Sequence, residues 1–197
     1  MITSFFQRRL LLLWLGLALP AASQAGPALR LPARHSAHFP TPMSPLEPAT
    51  LRRHYEAAAT DKAAGEKFYQ LLADYQDKDA LVLAYKGAAQ AIRARDAAML
   101  HKLEYVKQAA HTFEQAVALD SENAEIRFLR FSVESNLPAF LGLSKHLDED
   151  RTLLLRSALA YPNSDLDAEA FRTVRNFLVV RGHVSEQEAR QLSKAKA

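Results

Sequence analysis

Arg127 and Arg130 stand three residues apart in Glu125-Ile126-Arg127-Phe128-Leu129-Arg130-Phe131. On a helix this spacing puts them one turn apart, and two guanidinium forks so placed can grip a carboxylate or phosphate bidentately. Phe128 and Phe131 lay apolar groups beside them. The segment is therefore a candidate for holding a protein or peptide partner, with Arg127, Arg130 and Phe131 as anchors. The competing reading is internal, with the aromatics in the core and the arginines snorkelling or pairing with Glu125 and Glu134. A second apolar run, Pro138-Ala139-Phe140-Leu141-Gly142-Leu143, falls between helices. Burial over the core is its expected state; left exposed, Phe140 becomes a further partner contact.

Other chemistry finds little to stand on. Asp165, Asp167 and Glu169 alternate like cation ligands, but the glycine and the distant bidentate glutamate of a calcium loop are missing. Acids there already satisfy the dipole and free amides of a helix start. Asp148-Glu149-Asp150 is read the same way, as a solvated first turn. His101, His111, His146 and His183 have no sequence neighbour that resembles a nucleophile or paired acid. His35 and His38 sit in a stretch with too few partners for a metal. The chain has no cysteine, which removes thiolate zinc sites, cysteine nucleophiles and disulfides. No G-x-S-x-G, H-E-x-x-H or phosphate-cradling glycine loop occurs. The expectation is a non-catalytic protein with no cofactor and no metal. A formal charge of +3 spread over 197 residues argues against a nucleic-acid partner.

The elements that position these residues are helices. Apolar residues recur at three- and four-residue spacings in seven segments, led by Leu51-Tyr55-Ala58, Phe68-Leu72, Val82-Tyr85-Ala89, Val106-Phe113, Ile126-Leu129, Leu154-Ala158 and Phe171-Val174-Phe177. Ser185 with Glu188 is a capping-box pattern that starts an eighth helix. Ser44-Pro45 reads as the first helix start, and Gly182 sits where a left-handed helix stop is wanted. No period-two strand stands out. Eight helices on short connections are expected over residues 44–197.

Two segments precede them. Arg8 and Arg9, an apolar run from Leu10 to Ala22, and Ser23-Gln24-Ala25 form the three-part secretory signal pattern over residues 1–25. The run is shorter than the roughly 20 residues that span a membrane. Six prolines between Pro27 and Pro48 then read residues 26–43 as an extended arm. The mature chain is expected in the periplasm or outside the cell, with no stable membrane span.

Ala109-Ala110-His111-Thr112-Phe113-Glu114-Gln115-Ala116-Val117-Ala118-Leu119-Asp120 resembles the second helix and exit turn of a tetratricopeptide repeat. Ala109 and Phe113 fit that family's A-x3-F, and Ala116 falls at the next small position. Gly87 stands where such a motif wants a close helix crossing, although the hairpin from Gly87 to Ala109 is longer than the family spacing. The stretch from Glu125 to Gly142 resembles exported bacterial proteins with repeat-like helices. These resemblances imply an all-α fold of antiparallel hairpins stacked as a short right-handed array. The leading expectation is a non-catalytic binding or scaffold module of the cell envelope that recognises a protein or peptide partner on a helical surface. The alternative is a small-ligand or lipid carrier whose helices close around an apolar cavity near Phe131 and Phe140. A third is an envelope enzyme with a dispersed site.

Removing residues 1–25 leaves 172 residues. It takes Arg8 and Arg9 but no acid, so the net charge falls from +3 to +1. It also removes Trp14, the single tryptophan. The protein purified from the exported fraction is expected to show tyrosine but no tryptophan fluorescence; tryptophan emission there would show that the leader is retained.

Overall fold

The computed structural model describes residues 44–195; the leader and the proline arm lie outside the described residues. Eight α helices fill this span, with no strand among the described residues. They are α1 (Pro48–Thr60), α2 (Lys62–Ala73), α3 (Ala80–Asp96), α4 (Met99–Leu119), α5 (Ala124–Glu134), α6 (Leu147–Ala160), α7 (Ala168–Val180) and α8 (Glu186–Lys194). A short 3-10 turn, Ala139–Leu141, interrupts the connection from α5 to α6.

The helix ends follow local chemistry. Asp61, Asp79, Asn123 and Asp167 cap α2, α3, α5 and α7 by accepting the first free amides. At the start of α8 the Ser185 hydroxyl accepts from the Glu188 amide while the Glu188 carboxylate accepts from the Ser185 amide, which completes the expected capping box. Gly182 has φ +70°, and the amides of Gly182 and His183 reach back to the carbonyls of Val179 and Leu178. That is a Schellman stop, and it needs the left-handed residue that glycine supplies without strain. The first helix differs from expectation. It starts at Pro48, not at Ser44-Pro45, because Pro48 holds Glu47 in the extended region at ψ 139° and the helix cannot run through it.

Six of the eight helices run to fourteen residues or fewer and are too short to be stable alone, so the stripes must find one another. α1 packs on α2, α2 on α3, and α3 on α4; α1 also touches α3, and α3 touches α5. Phe68 of α2 sits against Tyr55 and Tyr85, joining the first three helices through a cluster of rings. α3 and α4 approach most closely at Gly87, where a Cβ would come within 3.1 Å of the Phe113 ring. This is the close helix crossing expected at Gly87.

α5 is the central element. Nine of its eleven residues are buried, so it has no solvent face to spare for its charges. On one side it meets α3 and α4, on the other α6. Phe128 and Phe131 both pack edge-on against Phe177 of α7.

Truncating the ring that fills the α3–α4 crossing tests this packing. Phe113→Ala is expected to cost about 3–5 kcal/mol in urea unfolding, the range for removing a fully buried phenylalanine.

Candidate functional site

Two polar networks hang on α5, and an apolar groove opens beside its C-terminal end. The first network is internal to the α5–α6 contact. Asp150 is 0% exposed, while Arg127 and Arg130 are 5% and 3% exposed. Arg130 reaches Asp150 with Nε to Oδ2 at 2.8 Å and Nη2 to Oδ1 at 2.6 Å. Arg127 Nη1 donates to Asp150 Oδ1 at 2.8 Å and to Glu149, and its Nε donates to the Ser121 carbonyl at 2.8 Å. The hydrogen bond from Arg127 holds the Glu149 carboxyl below the usual carboxylate range. Arg127 and Arg130 do close on a carboxylate, as their spacing allows, but it is the chain's own Asp150. Their place as accessible anchors is corrected by this burial, and the first turn of α6 is not wholly solvated.

Glu125 and Glu134 are not their partners. Residues two apart on a helix point in different directions, which separates Glu125 from Arg127. Glu125 instead accepts both Arg52 Nε (2.8 Å) and Nη2 (2.6 Å) from α1, together with the Tyr85 hydroxyl (2.5 Å) from α3. Arg52 also donates to Asp167 at the start of α7 (2.7 Å). The Glu125 hydrogen bond lifts Arg52 above its ordinary range, and burial together with the Glu125 charge lifts the Tyr85 phenol, so the phenol stays a proton donor. Glu134 accepts the backbone amide of His146 (2.9 Å) and lies 2.7 Å from that ring's Nδ1.

This second carboxylate fixes the α5–α6 connection. Ser144 donates to the Glu134 carbonyl at 2.8 Å, and Asn136 donates to the Ser132 carbonyl at 2.7 Å. The segment Pro138–Leu143 is therefore held, but not buried as expected. Phe140 is 78% exposed. In so short a 3-10 turn only one side can face inward; Leu141 and Leu143 are partly covered and Phe140 points away. Phe131, by contrast, lies in the core between Phe177 and His183.

The groove is built from elements that sequence reading did not connect. Tyr55 and Ala59 of α1, Ala88, Ala91 and Ile92 of α3, Val106 of α4, and Val133 and Leu137 at the end of α5 line a cavity of about 60 Å³ that opens to solvent. The Tyr55 and Ser132 hydroxyls satisfy each other at 3.3 Å within its wall, and Arg95 on the rim is tied to Asp96 and to the Ala59 carbonyl. One turn before Val106, Leu103 is exposed, and Met99 and Leu100 precede it. The signal available in sequence was the run of alanines on α3, since small residues facing small residues leave space between helices. Which helices would share that space was not visible.

The histidines do not gather into a reactive cluster. His101 lies 3.7 Å from Glu104 on an exposed face, His111 is exposed, and no group of three His, Cys, Asp or Glu among the described residues is arranged to hold a metal. Asp165 and Asp167 serve as helix caps: Asp165 accepts the Ala124 amide at 2.7 Å and Asp167 those of Glu169 and Ala170. No described helix is long and apolar enough to cross a membrane. Compared with protein families, curated proteins and solved structures, the chain matches none.

The buried cluster makes a two-part prediction. Asp150→Ala leaves two guanidinium groups out of water without their acceptor and is expected to cost about 3–5 kcal/mol in denaturant unfolding. Replacing Arg127, Arg130 and Asp150 together by Met, Leu and Leu is expected to be near neutral or stabilising, because the desolvation penalty goes with the charges. Equal losses in both variants would contradict this assignment.

Proposed function

We propose that the chain is an exported, non-catalytic binding module that holds a protein or peptide segment in the groove between α1, α3 and α5. The observation that carries this reading is the open apolar groove itself, to which α4 contributes Val106 while its preceding turns leave Leu103 and Met99 exposed. Exposed apolar side chains beside an apolar groove mark an interaction surface more often than a catalytic one.

The neighbour order of the helices supports a short right-handed array of antiparallel hairpins similar to tetratricopeptide repeats. The first helices of successive hairpins touch, α1 with α3 and α3 with α5, while each second helix packs between them. In such an array the first helices form the surface a ligand meets, and most of the groove residues lie on them. Phe140 stays a candidate contact in this reading. Arg127, Arg130 and Phe131 act through it indirectly, by fixing the position of α5.

The carrier alternative asks for more space. An engineered cavity that takes up benzene measures about 150 Å³. A volume of about 60 Å³ suits a single inserted side chain or a few waters better than an acyl chain. The neighbourhood of Phe131 is filled by rings.

A photo-crosslinking residue at Ala91 in the full-length chain, expressed in its native envelope, tests the proposal. Capture of a protein partner is expected at this position and not at Lys67 on the exposed face of α2. Leu137→Asp, with unchanged helical circular dichroism, is expected to lower that capture at least several-fold. Capture that ignores the groove substitution would remove the reading. Stoichiometric uptake of a fatty acid by the purified chain would favour the carrier instead.

A further inference from the structure

We infer that the joint around His183 is an acid-sensitive latch that releases α8 from the rest of the helix stack. His183 follows the Schellman stop of α7, and its half-buried ring lies against two aromatic rings. It stacks on Phe177 with centroids 5.3 Å apart and planes 14° from parallel, and meets Phe131 of α5 edge-on at 4.8 Å. Its backbone ties a third and a fourth element to the same point. The His183 carbonyl accepts Arg151 Nε of α6 at 2.5 Å, and Arg151 Nη2 reaches the Glu188 carboxylate of α8 at 2.7 Å. His183 thus joins α5, α6 and α7, and Arg151 carries the connection on to α8.

Charge makes this joint intolerant of a proton on the ring. The groups facing His183 are Arg181 at the end of α7 and Arg151 of α6; Glu188 of α8 stands behind Arg151 and is engaged with it, and α5 presents only the uncharged Phe131. Burial, then Arg181, then Arg151 hold the imidazole below its ordinary value of 6.5. Protonation would place a third cation beside two guanidiniums, on a half-buried ring that water hydrates only in part.

The sign follows from linkage. The unfolded or released histidine takes up a proton at its ordinary value, whereas the packed one resists until lower pH. Attachment is therefore fully present above that value, and weakens as the pH falls through it towards the depressed one. Glu188 is held below its ordinary carboxylate value by the Ser185 hydrogen bonds and by Arg151, so it stays ionised across that window. α8 is the element that yields. It spans nine residues, and Leu192 is its single buried side chain, so little apolar area opposes its release.

Amide exchange of the full chain, corrected for intrinsic rates, at about pH 8 and about pH 5 tests the latch. At the lower pH the exchange of α8 amides, Leu192 among them, is expected to rise several-fold while α3 and α4 stay protected. His183→Phe keeps the ring packing and the backbone bonds but cannot take a proton, and its α8 is expected to exchange equally at both pH values. A ring titration of His183 followed by proton NMR is expected to fall below the ordinary histidine value of 6.5. Unchanged α8 protection in the parent chain, or loosening that persists in His183→Phe, would overturn the inference. So would a His183 titration at or above 6.5.

Discussion

Two guanidinium groups and one carboxylate leave water together at the centre of this helix stack, and the placement of α5 against α6 has to satisfy them. Ions moved into a protein interior lose several kcal/mol of hydration each, and only close, hydrogen-bonded partners restore it. Asp150 answers both arginines at once, with three oxygen–nitrogen contacts shared between its two oxygens and the Arg127 and Arg130 forks. A slip of α5 by one turn along α6 would leave those charges unpaired. The cluster therefore sets register more than it adds net stability, since an apolar contact of the same volume would hold the helices as well.

The same helix carries a second demand on its other side. Glu125 collects Arg52 from α1 and Tyr85 from α3, and Arg52 continues to the start of α7. Glu134 closes the connection beyond α5 through His146. An eleven-residue helix thus addresses five other segments, and all of its charges are consumed in doing so. This explains why the most chemically suggestive stretch of the chain is structural. The apolar surface left open to solvent is the groove that α5 completes at its end, together with the exposed Phe140 on the loop that Glu134 anchors.

At the far end of the stack the logic inverts. Around His183 the packing relies on a titratable ring staying neutral, between aromatic neighbours and two fixed cations. The central cluster depends on the pairing of charges; the C-terminal joint depends on the absence of one. The stack thus has a charge-paired middle, where the groove lies, and a lightly held last helix.

How far the residues alone reach is clear from particular cases. The stripes Val82-Tyr85-Ala89 and Val106-Phe113, the capping box at Ser185 and the stop at Gly182 are local, and their spacing dictates helices and helix ends before any tertiary contact forms. The eight helices and the all-α character follow from that. Gly87 marked a close helix crossing, but which side chain would fill the space beside it, Phe113, came only with the structure. The roles of Arg127, Arg130 and Asp150 were not readable, since their partners lie 20 or more residues away and a guanidinium looks the same whether it faces a ligand or a buried carboxylate. Phe140 was misplaced for a related reason: hydrophobicity says that a side chain gains by burial, not that the backbone of a short turn can direct it inward. The sequence by itself determined the elements, because helix formation depends on residues three and four apart. Only the tertiary structure decided which charges were spent inside and which apolar surface stayed outside, because desolvation and pairing depend on neighbours that the chain brings together from a distance.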